Sequence, residues 1–172
     1  MKLAAGFAGA LILLAAGPSV ADIAEQTLPN GLRVIVKVDR RAPVAVQMVW
    51  YRAGAMDEKD GTSGVAHVLE HLMFKATRNL GPGEFSKRVA AAGGGENAFT
   101  SQDYTAYFQI VPKEKLSEMM ALEADRMANL AFEPDEFAAE IKVVMEERRL
   151  RTEDNPRSLV YEALMSAAFR AH

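Results

Sequence analysis

Cysteine is absent from the 172 residues. That excludes disulfides, thiolate metal ligation, a cysteine nucleophile and a lipidated N-terminal cysteine. Histidine is scarce, with His67, His71 and His172 the whole supply. Any metal site must therefore be built from imidazole and carboxylate, a donor set that suits zinc or another borderline divalent ion. Past residue 16 no apolar run is long enough to cross a bilayer. No block of one charge sign occurs: 20 Lys and Arg are interspersed with 23 Asp and Glu, for a net charge of −3. Without a basic patch or arm, nothing argues for nucleic acid as a partner. What is present, 49% hydrophobic and 25% charged residues, is the composition of a folded globular chain with length for one ordinary domain.

Residues 1–21 read as a secretory signal peptide. Lys2 supplies the positive start, Leu3 to Ala16 form the apolar run, Pro18 breaks it, and Ser19-Val20-Ala21 place small residues before a cut at Asp22. The competing reading, a membrane anchor, needs a longer run of about 20 apolar residues. The expected destination is the periplasm or the exterior, with no stable membrane anchor after cleavage and residues 22–172 as the mature portion.

Pro29-Asn30-Gly31 between Gln26–Leu28 and Leu32–Val38 predicts a hairpin, because Asn-Gly adopts the left-handed turn conformations that hairpins need. Val44 to Tyr51 is almost continuously apolar and reads as a central strand buried on both faces. A glycine-marked loop, with Ser63 as a plausible N-cap, leads to a helix around Val65–Phe74. A short amphipathic helix is expected over Glu84–Ala92, stopped by Gly93-Gly94-Gly95. Strands at Ala98–Thr100 and Tyr104–Val111 follow, then helices at Leu116–Leu130, Asp135–Glu153 and Leu159–Phe169. This order of strands, helices, strands and helices is that of an α+β layered domain.

His67-Val68-Leu69-Glu70-His71 is the most informative stretch. In a helix, His71 lies about 40° from His67 and Glu70 about 60° to the other side, so the three share a face. The rest of that helix is apolar all round, which predicts burial. Buried imidazoles and a carboxylate need partners. A metal ion held by both histidines would supply them, with Glu70 left as a base; a histidine pair satisfied by Glu70 alone is the competing structural reading.

A zinc centre able to catalyse needs three protein ligands and an open position. His172, at the end of the chain, is a poor third. The helix from Asp135 offers acids, and helical angle separates them: relative to Phe137, an apolar arc through Ile141, Val143, Val144, Met145 and Leu150 encloses Glu140 near 300° and Glu147 near 280°. Glu146, near 180° with Lys142 and Arg149, points to solvent. Inward-facing Glu140 and Glu147 fit a metal role or ion pairs to arginines such as Arg88, Arg126 or Arg148, and periodicity does not choose between them.

With these residues the chain resembles the pitrilysin/insulinase metallopeptidases, which include the mitochondrial processing peptidase. His67-x-x-Glu70-His71 is the inverted zinc motif of that family. Gly64 before it, Phe74-Lys75-x-Thr77 after it, Asn97-Ala98-Phe99-Thr100-Ser101-x-Asp103-x-Thr105, and the Glu140–Glu147 pair on a helix closed by Asp154-Asn155-Pro156 also match. Ala76 stands where the family usually has glycine, a substitution that would strain a backbone of positive φ.

The resemblance implies a zinc-dependent endopeptidase whose domain is a roll of antiparallel or mixed sheet packed with helices. One zinc would be held by His67, His71 and Glu147, with Glu140 supporting them and Glu70 acting as general base on a zinc-bound water. An extended peptide or unfolded protein would add as a strand to the edge at Glu96–Ser101, with Asn97, Ala98 and Phe99 in contact. It also implies that residues 22–172 are the N-terminal, truncated part of a longer architecture, completed by a C-terminal half or a homologous partner subunit. A non-enzymatic reading, an inert lobe that serves only in folding or interaction, stands beside it. S-ribosylhomocysteine lyase has a similar motif but needs a cysteine, and this chain has none.

Overall fold

The structure, a computed structural model, describes residues 23–169. The leader read in residues 1–21 lies outside them, and so does His172. The described residues divide into two compact units, with the boundary between Ala42 and Pro43.

The described part of the first unit is the expected hairpin. Strand β1 (Ile23–Thr27) pairs antiparallel with β2 (Arg33–Lys37), Ile23 opposite Lys37 and Thr27 opposite Arg33. The Asn30 side chain accepts the Leu32 N–H at 3.1 Å and holds the turn.

In the second unit the main sheet has three antiparallel strands in the order β3-β6-β5: β3 (Val44–Tyr51), β5 (Gly95–Thr100) and β6 (Thr105–Pro112). Strand β6 is therefore the central one and β3 an edge, which corrects the expectation for Val44–Tyr51. The run is apolar on both faces, but only one is covered: Val44, Val46, Met48 and Trp50 are all more than 40% exposed. Trp50 packs instead on Phe99 (5.6 Å between centroids) and Tyr104 (5.1 Å) on that outer face.

The covered face carries the core. Helices α2 (Glu84–Ala91) and α3 (Leu116–Asn129) contribute Phe85, Val89, Met119 and Leu122, which bury against Leu80, Ala92 and Val111 of β6. The turn after α2 is too tight for a side chain at Gly94: a Cβ there would overlap Val111 Cγ1 and stand 2.7 Å from the Ile110 carbonyl oxygen. Two short strands unforeseen in the sequence, β4 (Ala76–Thr77) and β7 (Leu130–Ala131), pair antiparallel. Ala76 sits there in extended backbone, and no described non-glycine residue has a positive φ, so the missing glycine causes no strain.

Helix α1 (Val65–Leu72) packs on β5 and on α4 (Pro134–Arg148). It is not buried all round as expected; Val65 is 56% and Leu69 47% exposed, because two neighbours cover only one side. Helix α4 likewise buries a narrow stripe. Glu140 is its one fully buried residue, while Phe137, Val143, Met145 and Leu150 of the expected apolar arc are exposed. The helix expected to run to Glu153 ends at Arg148 in a wide π-type turn, Arg149–Glu153, closed by the Asp154 N–H on the Arg149 carbonyl (2.8 Å). Asn155 then caps α5 (Pro156–Ala168), whose Leu159, Val160, Tyr161 and Leu164 are exposed. No described helix is long and apolar enough to cross a membrane.

The core contains an ion pair. Arg126 and Glu123, 1% and 2% exposed, bond through Nη2 and Oε2 at 2.5 Å, and Gln109 Nε2 donates to the same carboxylate at 3.2 Å. The guanidinium lies 4.3 Å from the Phe85 ring, 4.6 Å from Tyr107 and 5.4 Å from Phe74. Arg126→Met leaves the Glu123 carboxylate buried without its counter-charge and is expected to cost about 3–5 kcal/mol, whereas the Glu123→Met, Arg126→Met double variant recovers most of the loss. Urea unfolding of the three chains measures this; a double variant no more stable than the single one contradicts it.

Candidate metal centre

The loop before α1 delivers the helix without the Ser63 cap expected from the sequence. Gly64 stands at the N-cap with φ of +95°, a conformation an L side chain resists, and no local side chain caps the helix. The cap comes from a distance: Glu58 accepts the N–H of Gly64 at 2.8 Å and of Ala66 at 2.7 Å with its two oxygens. Two of the first-turn donors are thereby satisfied and a negative charge sits at the helix start.

One turn further on, the shared face of α1 meets β5 and α4. Glu70 is turned to β5, where Thr100 Oγ1 donates to its Oε2 at 2.5 Å. The rings of His67 and His71 lie edge to face with centroids 4.8 Å apart. Across from them Glu147 Oε2 stands 3.4 Å from His67 Nε2 and 3.3 Å from His71 Nε2. That oxygen is buried and has no hydrogen-bond partner among the described residues. His67, His71 and Glu147 each offer one ligand atom, and the three lie within 4.8 Å of one another. A tetrahedral zinc with bonds of about 2.0–2.1 Å has ligand–ligand edges of about 3.3–3.4 Å, so the separations to Glu147 fit such an ion.

The tautomer of His71 fits as well. Its Nδ1 is 2.8 Å from Glu140 Oε1. An ionised carboxylate only accepts, so the proton of that bond is on Nδ1, which leaves Nε2 as the nitrogen that can turn a lone pair toward a metal beside Glu147. Glu140 stays ionised: burial pushes its carboxyl up, but the Lys75 ammonium bonded to Oε2 and the His71 ring together outweigh burial and hold it below its ordinary value. Glu140 pairs with His71 and Lys75 and with no arginine, whereas Glu147 Oε1 pairs with an arginine, Arg151, while its Oε2 faces the two imidazoles. Glu146 is 56% exposed and bound to Arg149, as its helical angle predicts.

These residues line a cleft of about 420 Å³ together with Phe74, Asn97, Ala98, Phe99 and Thr100. A larger depression of about 750 Å³ along α5, lined by residues such as Arg157, Tyr161 and Phe169, has no convergent imidazole and acid groups. Strand β5 is an open edge beside the cleft. The Ala98 N–H points away from β6 and is covered by Asn97 Oδ1 at 2.9 Å. Antiparallel alternation then turns the backbone groups of Glu96 and Thr100 to the same open edge. The Phe99 ring projects to the other face of the sheet, against Trp50 and Tyr104.

Sequence reasoning passed over Thr100, Lys75, Glu58 and Arg151. Thr100 and Lys75 lie in stretches that carry the family resemblance, but their partners, Glu70 and Glu140, are 30 and 65 residues away in the chain. Removing the distant cap by Glu58→Ala is expected to cost about 1 kcal/mol and to fray the first turn of α1. Hydrogen exchange at Gly64 and Ala66 reports it, and unchanged protection of both amides contradicts it.

Residues 33–172 match the family described as Insulinase (Peptidase family M16). The chain is 42% identical over 147 residues to the zinc protease PqqE of Helicobacter pylori, covering 85% of this chain and 33% of that protein. It is 33% identical over 144 residues to the probable mitochondrial-processing peptidase subunit beta of Arabidopsis thaliana, covering 84% and 27%. The crystal structure of a protease from Helicobacter pylori superposes with a TM-score of 0.78 at 42% identity, over 83% of this chain and 34% of that one. The chain thus spans about a third of the length of such relatives. The inverted His67–His71 motif, its acids on α4 and the α+β framework that joins them place this chain in the insulinase family of peptidases, family M16.

Proposed function

We propose that this chain carries the zinc-binding centre of a metalloendopeptidase that hydrolyses extended peptides. The observation that carries the reading is the buried, unpartnered Glu147 Oε2, 3.3–3.4 Å from the Nε2 atoms of His71 and His67. His67, His71 and Glu147 would hold the ion, and Glu140 fixes the ring of His71 from behind. When bound, zinc supplies a Lewis acid that polarises the scissile carbonyl and makes water acidic near neutral pH.

Glu70 is the general base. Thr100 occupies its Oε2, so Oε1 is the oxygen that takes the proton of the attacking water and later returns it to the leaving nitrogen. The substrate strand pairs with the open edge of β5 at Glu96, Ala98 and Thr100. Its carbonyl replaces Asn97 Oδ1 on the Ala98 N–H and frees the Asn97 side chain to bond the peptide. The leader in residues 1–21 supports action in the periplasm or outside the cell. The exposed apolar face of β3 and the exposed α5 support a larger assembly, in which a second lobe or homologous subunit completes the cleft.

Purified chain is expected to contain one zinc, lost in His71→Ala and Glu147→Ala and kept in Glu146→Ala, by elemental analysis. Full occupancy in Glu147→Ala contradicts the assignment. Glu70→Gln in the catalytically complete protein should keep the metal and slow peptide cleavage by roughly 100- to 10,000-fold. A wild-type rate in that variant removes Glu70 from the role of base.

A further inference from the structure

Only one oxygen of Glu147 faces the imidazoles. The other, Oε1, is 2.7 Å from an Arg151 guanidinium nitrogen, in an i,i+4 pair that spans the start of the wide turn Arg149–Glu153. The other arginines here are engaged elsewhere: Arg149 with Glu146 and Asp154, Arg148 with Glu153 and Glu162. Among the described residues, Arg151 is the one arginine lining the cleft.

A carboxylate can give a metal ion one oxygen or two. Two would raise a four-coordinate centre to five and crowd the position that it keeps for water and substrate. A guanidinium on the second oxygen prevents this, since a cation already bonded there excludes a second cation from the same lone pairs. It also orders the side chain on which ligation depends. We propose that Arg151 is a positioning residue that restricts Glu147 to metal ligation through Oε2 alone. This rests on the metal-centre reading above. Arg151 touches no reacting atom and acts only through Glu147.

The test uses the 172-residue chain as wild type, Arg151→Ala, Arg151→Lys and, as a control of equal charge change, Arg149→Ala. Zinc affinity is measured by competition with a chromophoric chelator, and coordination number by the visible absorption of the cobalt(II)-substituted chain. Arg151 is exposed, with 75% of its side chain in solvent, so the variants should fold. Arg151→Ala is expected to bind zinc about 10- to 100-fold more weakly. Its cobalt absorption should weaken as the second oxygen enters and coordination rises from four to five. Arg151→Lys, which can still occupy Oε1, should recover most of both, and Arg149→Ala should change neither. Unchanged affinity or spectrum in Arg151→Ala overturns the proposal, as does an equal loss in Arg149→Ala. Failure of the wild-type chain to bind zinc overturns the metal-centre reading itself.

Discussion

A carboxylate oxygen and two imidazole nitrogens meet between α1 and α4, and this convergence constrains the elements around it. Glu140 holds a proton of His71 on the far nitrogen, and the near one faces a buried Glu147 oxygen that makes no hydrogen bond. Two imidazoles and a carboxylate at this spacing make a donor set for one divalent cation. The arrangement is held by its surroundings: Glu58 on the start of α1, Thr100 on Glu70, Lys75 on Glu140 and Arg151 on Glu147. Each of these contacts restricts one member of the cluster from outside it.

The scaffold that holds this cluster is thin. One face of a three-stranded sheet is covered, and its core of Leu, Val, Phe and Met side chains surrounds a buried Arg126–Glu123 pair rather than excluding it. The Arg126 guanidinium reaches Phe74, just beyond α1, so the helix that carries the histidines is anchored to the core through an aromatic contact. On the other side of the sheet Trp50, Phe99 and Tyr104 gather into a small aromatic cluster while their neighbours stay exposed.

Residue periodicity carried much of the fold. The hairpin at Asn30-Gly31, the stop at Gly93 and the helices at Glu84, Leu116 and Pro134 follow from turn chemistry and helical spacing, which are local. Helical angle also separated Glu147, facing the imidazoles, from exposed Glu146, because two adjacent residues on a helix lie about 100° apart. What failed were statements about burial. Val44–Tyr51 is apolar on both faces whether or not anything covers them, and the arc on α4 is apolar whether or not a partner meets it. Composition records what a surface could bury, while contact is decided by neighbours distant in sequence. The capping of α1 was illegible for the same reason: Glu58 replaces the local Ser63 from a loop, and the turn that places Arg151 departs from α-helical spacing.

If His67, His71 and Glu147 make one nitrogen- and oxygen-ligated metal centre, the ion's own scattering environment must show it. X-ray absorption at the zinc edge of the loaded chain tests it most directly. The expected spectrum has the multiple-scattering pattern of two imidazoles within a shell of light atoms at about 2.0–2.1 Å. A shell with one imidazole or none would contradict it.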